Sequence, residues 1–146
     1  MRANGVHPAG LIDTGALLAA VDADDHWHKA CRDALQTARF PLATTSAVLA
    51  ETFYFALKRG NLLRATWNLI GTRGFTIAPI TDADLPALEV LMHRYADRPM
   101  DFADATLVHV AEREGLNTIL TIDHDDFETY RIGRNAKFRI LPARTR

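Results

Sequence analysis

The segment TILTIDHDDF, residues 118–127, joins an apolar run to a cluster of acids. Its first five residues carry no charge and are rich in β-branched side chains, which favours a strand buried on both faces. Such strands are typical of parallel sheets that are covered by helices on both sides. The acids follow the run directly, so they are predicted to lie at the carboxyl end of the strand, where open α/β sheets bind their ligands.

Short apolar runs alternate with helical patterns along the rest of the chain, and no internal repeat or linker interrupts them. Strands are predicted at residues 10–13, 40–45, 75–80, 118–122 and 137–141. Helices are predicted at residues 15–21, 24–38, 47–60, 62–74, 82–98 and 100–115. Helices between successive strands predict an α/β fold of three layers, α/β/α, with a central parallel sheet of four to five strands.

Polar residues at helix starts refine these boundaries. Asp24 or Asp25 is predicted to cap the helix at 24–38, and Ser46 is predicted to cap the helix that follows it. Residues 47–60 are apolar on most faces of the predicted helix, so this helix is expected to be buried.

The length of 146 residues predicts one domain, residues 1–146, with a core from about residue 11 to about residue 142. No apolar run approaches the ~20 residues of a membrane span, and the first ten residues lack the apolar centre of a signal peptide. The single cysteine, Cys31, excludes an internal disulfide and lies in an apolar helical pattern, which indicates a buried, inert thiol. We therefore expect a cytoplasmic protein without a membrane partner.

The formal net charge of −1 creates no global field that would attract nucleic acid, but the basic residues are unevenly distributed. No acid follows Glu128, whereas the segment after it contains six basic residues: Arg131, Arg134, Lys137, Arg139, Arg144 and Arg146. A smaller basic cluster comprises Lys58, Arg59 and Arg64. A basic chain end of this kind is either a solvated surface or a source of phosphate contacts.

Four acids occupy positions where a solvating charge is not expected. Asp13 closes the first predicted strand and Asp123 closes the strand at 118–122, so parallel pairing puts both at the same edge of the sheet. Glu51 lies within an apolar helix, without a cation at helical ion-pair spacing, and must therefore be paired, protonated or bound to metal. Asp104 lies near a helix start, where the helix dipole offers an alternative explanation.

These four carboxylates together predict a metal site. Two carboxylates ~4 Å apart repel each other by about 4 kcal/mol at an effective dielectric constant of 20, so a cluster of four requires protons or a cation. Ligands that are all carboxylate oxygens favour hard cations, and a site that meets phosphate suits Mg²⁺ or Mn²⁺ better than zinc.

Four segments carry a resemblance to a known family: LIDTGALLAAVDADDHWH (11–28), TTSAVLAET (44–52), MDFADATLVHVAE (100–112) and ILTIDHDDF (119–127). They resemble the four acidic motifs of PIN-domain ribonucleases, especially the VapC-type toxins of bacterial toxin–antitoxin pairs. The resemblance extends from about residue 11 to about residue 142. It implies a PIN-like fold, a dependence on Mg²⁺ or Mn²⁺, and hydrolysis of RNA.

The resemblance also implies roles for individual residues. Asp13, Glu51, Asp104 and Asp123 match the acidic quartet that holds the metal and supports catalysis. Thr14 and Thr121 match hydroxyl residues that orient these ligands. VapC-type proteins are usually homodimers that are neutralised by a small antitoxin protein, and the same partners are expected here.

The acids after Asp123 depart from the family pattern, because DHDDF is one residue longer than the common ending. Asp126 is favoured over Asp125 for the later acidic position because it directly precedes Phe127, and Asp125 and His124 are expected to face solvent. Asp101 either caps the helix that contains Asp104 or joins the outer part of the site.

Other classes of protein match less well. A haloacid-dehalogenase-type phosphatase needs a second Asp where Gly15 stands, and a response-regulator receiver needs a Lys after the strand at 118–122. The remaining alternative is a catalytically silent PIN-like domain that acts as an RNA- or protein-binding module, against which the intact quartet argues. The sequence leaves open which RNA is cleaved and whether one or two metal ions bind.

Overall fold

A computed structural model describes residues 7–72 and 74–144 of the protein. Its five strands in this range are β1 (Gly10–Ile12), β2 (Leu42–Thr44), β3 (Phe75–Ile77), β4 (Thr118–Leu120) and β5 (Arg139–Leu141). The helices are α1 (Thr14–Val21), α2 (His28–Thr37), α3 (Ser46–Lys58), α4 (Leu62–Thr72), α5 (Leu85–Arg94), α6 (Phe102–Glu114) and α7 (His124–Thr129). A short 3-10 turn at Asp82–Asp84 precedes α5. In the described part of the chain, no helix combines the length and apolar character that crossing a membrane requires.

The strands form one parallel sheet in the order β3-β2-β1-β4-β5. The central strand β1 pairs through Leu11 with Ala43 of β2 on one side and with Ile119 of β4 on the other. Since all strands run the same way, their carboxyl ends share one edge. The predicted three-layer α/β/α fold with four to five parallel strands is confirmed.

The core lies against β1 and β4, whose apolar side chains are fully buried. Helix α6 is buried over most of its length, and Phe127 packs edge-on against Tyr130 and Phe138 at one end of the sheet. Cys31 lies in this core as a free thiol, as the sequence predicts.

Helices α2, α3, α5 and α6 begin at other residues than predicted, and α7 was not predicted. Helix α2 begins at His28 rather than at residue 24, because Asp22 and Asp25 accept hydrogen bonds from Asp24 N and Trp27 N and hold residues 22–27 in turns. Thr45, rather than Ser46, caps α3, and its hydroxyl accepts a hydrogen bond from the backbone N–H of Val48 at 3.3 Å. At α3 the neighbouring Thr45 therefore satisfies a backbone donor in place of Ser46, whereas Trp27 precedes α2 without a side-chain cap.

Helix α3 is only partly buried, so the expectation that it lies within the core is wrong. Tyr54, Phe55 and Leu57 are exposed, and Leu57 keeps 64% of its surface accessible. Leu63 and Trp67 of α4 continue this patch. We refer to these five residues as the α3–α4 apolar surface, and exposed apolar patches of this kind mark contacts with partners.

Two glycines, one within α4 and one at the end of α6, should respond oppositely to substitution by alanine. Gly115 ends α6 with φ of +69°, a left-handed conformation that costs other residues about 1–2 kcal/mol. Gly71 lies in α4, and among the described residues no atom outside the local helix backbone lies within 4 Å of the Cβ that alanine would add. We expect Gly115→Ala to lower the free energy of unfolding by about 1 kcal/mol and Gly71→Ala to raise it by up to ~1 kcal/mol, measured by urea unfolding. Changes of the same sign would contradict this account.

Candidate active site at the carboxyl edge of the sheet

A cavity of about 440 Å³ opens beside the carboxyl ends of β1 and β4. Its walls come from the starts of α1, α6 and α7 and from the exposed side of α3. Six acids line it: Asp13, Glu51, Asp101, Asp104, Asp123 and Asp126. Among the described lining residues, Arg59 is the one basic side chain. We refer to this space as the acidic cavity.

Asp13 follows β1 directly and caps α1, with Oδ1 accepting a hydrogen bond from Ala16 N at 3.0 Å. The Thr121 hydroxyl donates a short hydrogen bond to Oδ2. Only 6% of Asp13 is exposed. Burial raises the pKa of its carboxyl to about 7, with smaller increases from Asp123 and Glu51, although both hydrogen bonds favour the ionised form.

Asp104 lies in the first turn of α6, and the buried Tyr130 donates a hydrogen bond from its hydroxyl to Oδ2 at 3.0 Å. Burial, followed by the neighbouring carboxylate of Asp101, raises the pKa of Asp104 to about 8. Asp101 caps α6 by accepting a hydrogen bond from Asp104 N at 2.7 Å and also lines the acidic cavity. The two roles considered for Asp101 are therefore compatible.

Asp123 and Asp126 complete a tight group with Asp104. One oxygen from each of the three carboxylates lies within 4.8 Å of the other two. Desolvation by the cavity walls, followed by contact with Asp126, raises the pKa of Asp123 to about 6. The sequence favours Asp126 over Asp125 for the later acidic position, and the structure brings Asp126 into the group.

Two threonines connect the acids to the backbone. Thr121 donates to Asp13 and accepts a hydrogen bond from Asp123 N at 2.9 Å, so one hydroxyl joins the ends of two neighbouring strands. Thr14 donates to the carbonyl oxygen of Val48 at 3.3 Å and also hydrogen-bonds Glu51. Glu51 is half-buried on α3, and partial burial and then Asp101 raise the pKa of its carboxyl.

The acids and histidine after β4 separate into different environments. His124 was expected to face solvent, but it is buried, because its Nε2 lies 2.8 Å from the carbonyl oxygen of Pro142 and its ring packs against Trp27. Asp125 is exposed and pairs with Arg144 at 2.6 Å, which lowers the pKa of its carboxyl. The structure thus places Asp126, and not Asp125, at the acidic cavity.

Sequence analysis did not identify two further residues that contact the acids. Tyr130 holds Asp104, and its spacing from Phe127 marks it as a core aromatic whose buried hydroxyl needs a partner. Arg98 lies after α5, with Nε 3.1 Å from Asp126 Oδ1 and Nη1 donating to Thr129 at 2.6 Å. No local pattern distinguishes Arg98, because its partners lie about thirty residues further along the chain.

The charge balance of the acidic cavity indicates what it can bind. Six carboxylates face two arginines in the described residues, and the pKa values of Asp13, Asp104 and Asp123 are all raised. Raised pKa values mean that the positive charges and hydrogen-bond donors of the protein do not fully stabilise the ionised carboxylates. A group of carboxylate oxygens at this spacing can hold a divalent cation, which would supply the missing positive charge.

Comparison with known families agrees with this site. The family model described as PIN domain matches residues 10–133, which include all six acids of the cavity. The chain belongs to the PIN domain family. The resemblance that the four acidic motifs predicted is therefore confirmed.

Individual relatives of this PIN domain are VapC proteins. Ribonuclease VapC26 of Mycobacterium tuberculosis (strain ATCC 25618 / H37Rv) is 29% identical over 135 residues, covering 90% of this chain and 99% of the relative. VapC20 of Mycobacterium tuberculosis, described as a Sarcin-Ricin loop cleaving toxin, has a TM-score of 0.72 at 19% identity, covering 80% of this chain and 91% of that one. VapBC2 from Rickettsia felis, bound to a DNA fragment from their promoter, has a TM-score of 0.62 at 13% identity. The match covers 90% of this chain and 97% of that one. The two solved structures show that the fold is shared.

The raised pKa values predict how pH affects stability without metal. Between about pH 4 and pH 8, Asp13 and Asp104 bind more protons in the folded than in the unfolded protein, so the free energy of unfolding falls as pH rises through this window. In the presence of a chelator, Asp104→Asn should make this decline shallower because it removes one of the carboxyl groups whose pKa is raised. Urea unfolding at a series of pH values measures the slope.

The control for this experiment is Asp33→Asn, which removes an acid from the exposed face of α2, outside the cavity. The control should keep the wild-type slope. An unchanged slope in Asp104→Asn, or an equal change in both variants, would show that the acids of the cavity do not cause the pH dependence.

Proposed function

We propose that this PIN domain is an endoribonuclease that depends on Mg²⁺ or Mn²⁺ and hydrolyses RNA phosphodiester bonds in the cytoplasm, as the toxin of a type II toxin–antitoxin system. The observation that carries the proposal is the group formed by Asp104, Asp123 and Asp126 beside the buried Asp13. The similarity to ribonuclease VapC26 along 99% of that protein supports the same activity.

The donors suit a hard cation, because every candidate ligand is a carboxylate oxygen and the group contains neither His nor Cys. Asp13, Glu51, Asp104 and Asp123 are the proposed ligands, and Asp126 is close enough to join them. When bound, a divalent cation would lower the pKa of a water molecule and neutralise charge on the phosphoryl oxygens.

The residues around the cavity orient the acids for this chemistry. Thr121 and Ala16 donate hydrogen bonds to the two oxygens of Asp13, Tyr130 donates to one oxygen of Asp104, and both acids line the cavity. The described lining contains no Cys, Ser or His, and its Thr14 hydroxyl donates to a backbone carbonyl, which favours hydrolysis by water over a covalent intermediate on the protein. Fixed carboxylates reduce the reorganisation required during the reaction.

The alternative is a catalytically silent PIN-like domain that binds RNA or protein. A silent domain has no need to retain carboxylates that repel one another inside a cavity, since this repulsion destabilises the fold. The retained acids therefore favour the enzyme, and the binding of Mn²⁺ distinguishes the two possibilities.

Two exposed apolar patches support the proposed protein partners. The α3–α4 apolar surface adjoins the acidic cavity through Phe55, so a small antitoxin seated there could also reach the acids. A second patch, formed by Leu85, Met92 and Phe102, lies on and beside α5. We assign this second patch, the α5 apolar surface, to a homodimer contact.

Loss of one acid should abolish the reaction. We expect Asp13→Asn and Asp104→Asn each to lower the rate of RNA cleavage by at least about a hundredfold, because each removes charge from the metal group. Cleavage of a labelled RNA pool measures the rate, with Asp33→Asn as the control that should retain activity. Undiminished cleavage by either variant, or by wild type in excess EDTA, would exclude the proposed mechanism.

Metal binding is tested separately from activity. Mn²⁺ should raise the melting temperature of the wild type and of Asp33→Asn in a concentration-dependent way, and Asp104→Asn should lose most of this increase. An increase without RNA cleavage would favour the binding module, and the absence of any increase would exclude the metal site.

The α5 apolar surface predicts which substitution disrupts the dimer. Leu85 is 51% exposed, and a buried glutamate at this position would lose its hydration in the interface. We expect Leu85→Glu to be monomeric and Leu57→Glu, on the α3–α4 apolar surface, to remain dimeric when masses are measured by light scattering. A dimer in both variants, or dissociation by Leu57→Glu alone, would contradict the assignment.

A further inference from the structure

A second cavity, of about 580 Å³, lies between the end of α5, the last turns of α6 and the loop after α7. Arginines from three positions line it: Arg94, Arg131 and Arg134. Glu112 is the one acid among its described lining residues. This space, which we refer to as the arginine cavity, therefore has an excess of positive charge in a protein whose formal net charge is −1.

The three arginines differ in how their guanidinium groups are held and exposed. Arg131 Nη1 donates to the carbonyl oxygens of Glu128, Thr129 and Tyr130 at 2.6, 3.1 and 3.1 Å, which fixes its guanidinium group. Arg94 and Arg134 are exposed and form no ion pair with any residue in the described ranges. In the described residues, no ion pair therefore compensates the positive charges of Arg94 and Arg134, which lie beside the fixed guanidinium group of Arg131.

Two other arginines of the basic segment after Glu128 have different surroundings. Arg144 is paired with Asp125 at 2.6 Å and with Glu128 at 2.9 Å. Arg139 begins β5 and lines another cavity with Arg39, at the amino edge of the sheet. Of the basic residues after Glu128, Arg131 and Arg134 therefore lie together in the arginine cavity. Arg94 of α5 adds a third positive charge there.

The arginine cavity is linked to the acidic cavity by direct contacts. Arg98 contacts Asp126 of the acidic group through Nε and Thr129 through Nη1, and Thr129 lines the arginine cavity. Along α6, Asp104 and Glu112 are eight residues apart, which corresponds to about 12 Å at 1.5 Å per residue. An extended polyanion can therefore occupy both cavities at once.

We propose that the arginine cavity binds backbone phosphates of a single-stranded RNA segment next to the phosphate that is cleaved. This inference rests on the proposed function, because it identifies where the substrate of the acidic cavity continues. The acids repel the RNA backbone, and positive charge nearby must offset that repulsion for the RNA to bind. Guanidinium groups suit this role because their planar N–H donors match phosphate oxygens.

The test measures RNA binding rather than cleavage. The probe is a fluorescently labelled single-stranded RNA, and binding is followed by anisotropy on the Asp104→Asn variant, which is expected not to cleave it. Adding Arg94→Ala and Arg134→Ala should weaken binding at least about tenfold at low salt. It should also reduce the slope of log Kd against log salt by about 1.4, because each lost phosphate contact on a single strand contributes about 0.7.

The matched control is Arg39→Ala with Arg139→Ala on the same background, which removes two arginines that also line one cavity, at the opposite edge of the sheet. The control should leave Kd and its salt slope close to those of the parent. Equal losses in both pairs would overturn the inference, because only total charge would then matter. An unchanged Kd in Arg94→Ala with Arg134→Ala would overturn it as well.

Cleavage by otherwise wild-type protein separates this inference from the proposed function. Arg94→Ala with Arg134→Ala should raise KM while leaving kcat within about twofold, since these residues do not contact the reacting phosphate. If the wild type cleaves no RNA but the arginine pair still controls RNA binding, the ribonuclease proposal fails and the RNA site stands. If the wild type cleaves RNA and the pair changes neither Kd nor KM, the arginine cavity is excluded and the ribonuclease proposal stands.

Discussion

Repulsion between carboxylates at one edge of the sheet is the constraint on which the rest of this structure depends. The parallel pairing of β1 with β4 brings Asp13 and Asp123 to the same edge, and α6 adds Asp104 from its first turn. The fold tolerates this concentration of charge because burial of Asp13 and partial burial of Asp104 favour their protonated forms, and because Thr121 and Tyr130 donate hydrogen bonds to these two acids. Stability and site chemistry therefore oppose each other at this edge.

The sheet and the acidic edge were predictable because both depend on short-range signals. Apolar runs locate the buried strands, and parallel strands must share their carboxyl edge. The burial of α3 was not predictable, because an apolar helix face gives the same pattern whether it meets the core or a partner. Tyr54 and Leu57 are residue types that are common in protein cores, but both side chains are exposed here.

The candidate site could be predicted only where a residue's role depends on its own segment. Asp126 joins Asp104 and Asp123 because α7 is helical, and residues three apart on a helix lie on one face. At six residues, α7 is too short to show a helical period in sequence, so Asp126 remained ambiguous beforehand. Arg98 contacts Asp126, and Arg94 lines the arginine cavity, only because the fold brings distant segments together. No local sequence pattern encodes this proximity.

The hydrogen bond between Thr121 and Asp13 joins residues that are 108 positions apart in the chain. While the protein is being synthesised, Asp13 emerges early and stays without its partner until β4 has been made and has paired with β1. Contacts of such long sequence separation form late in folding, because closing a long loop costs entropy before the contact forms. A nascent chain therefore cannot hold an assembled acidic cavity before β4 has left the ribosome, and any activity that requires this cavity is delayed until then.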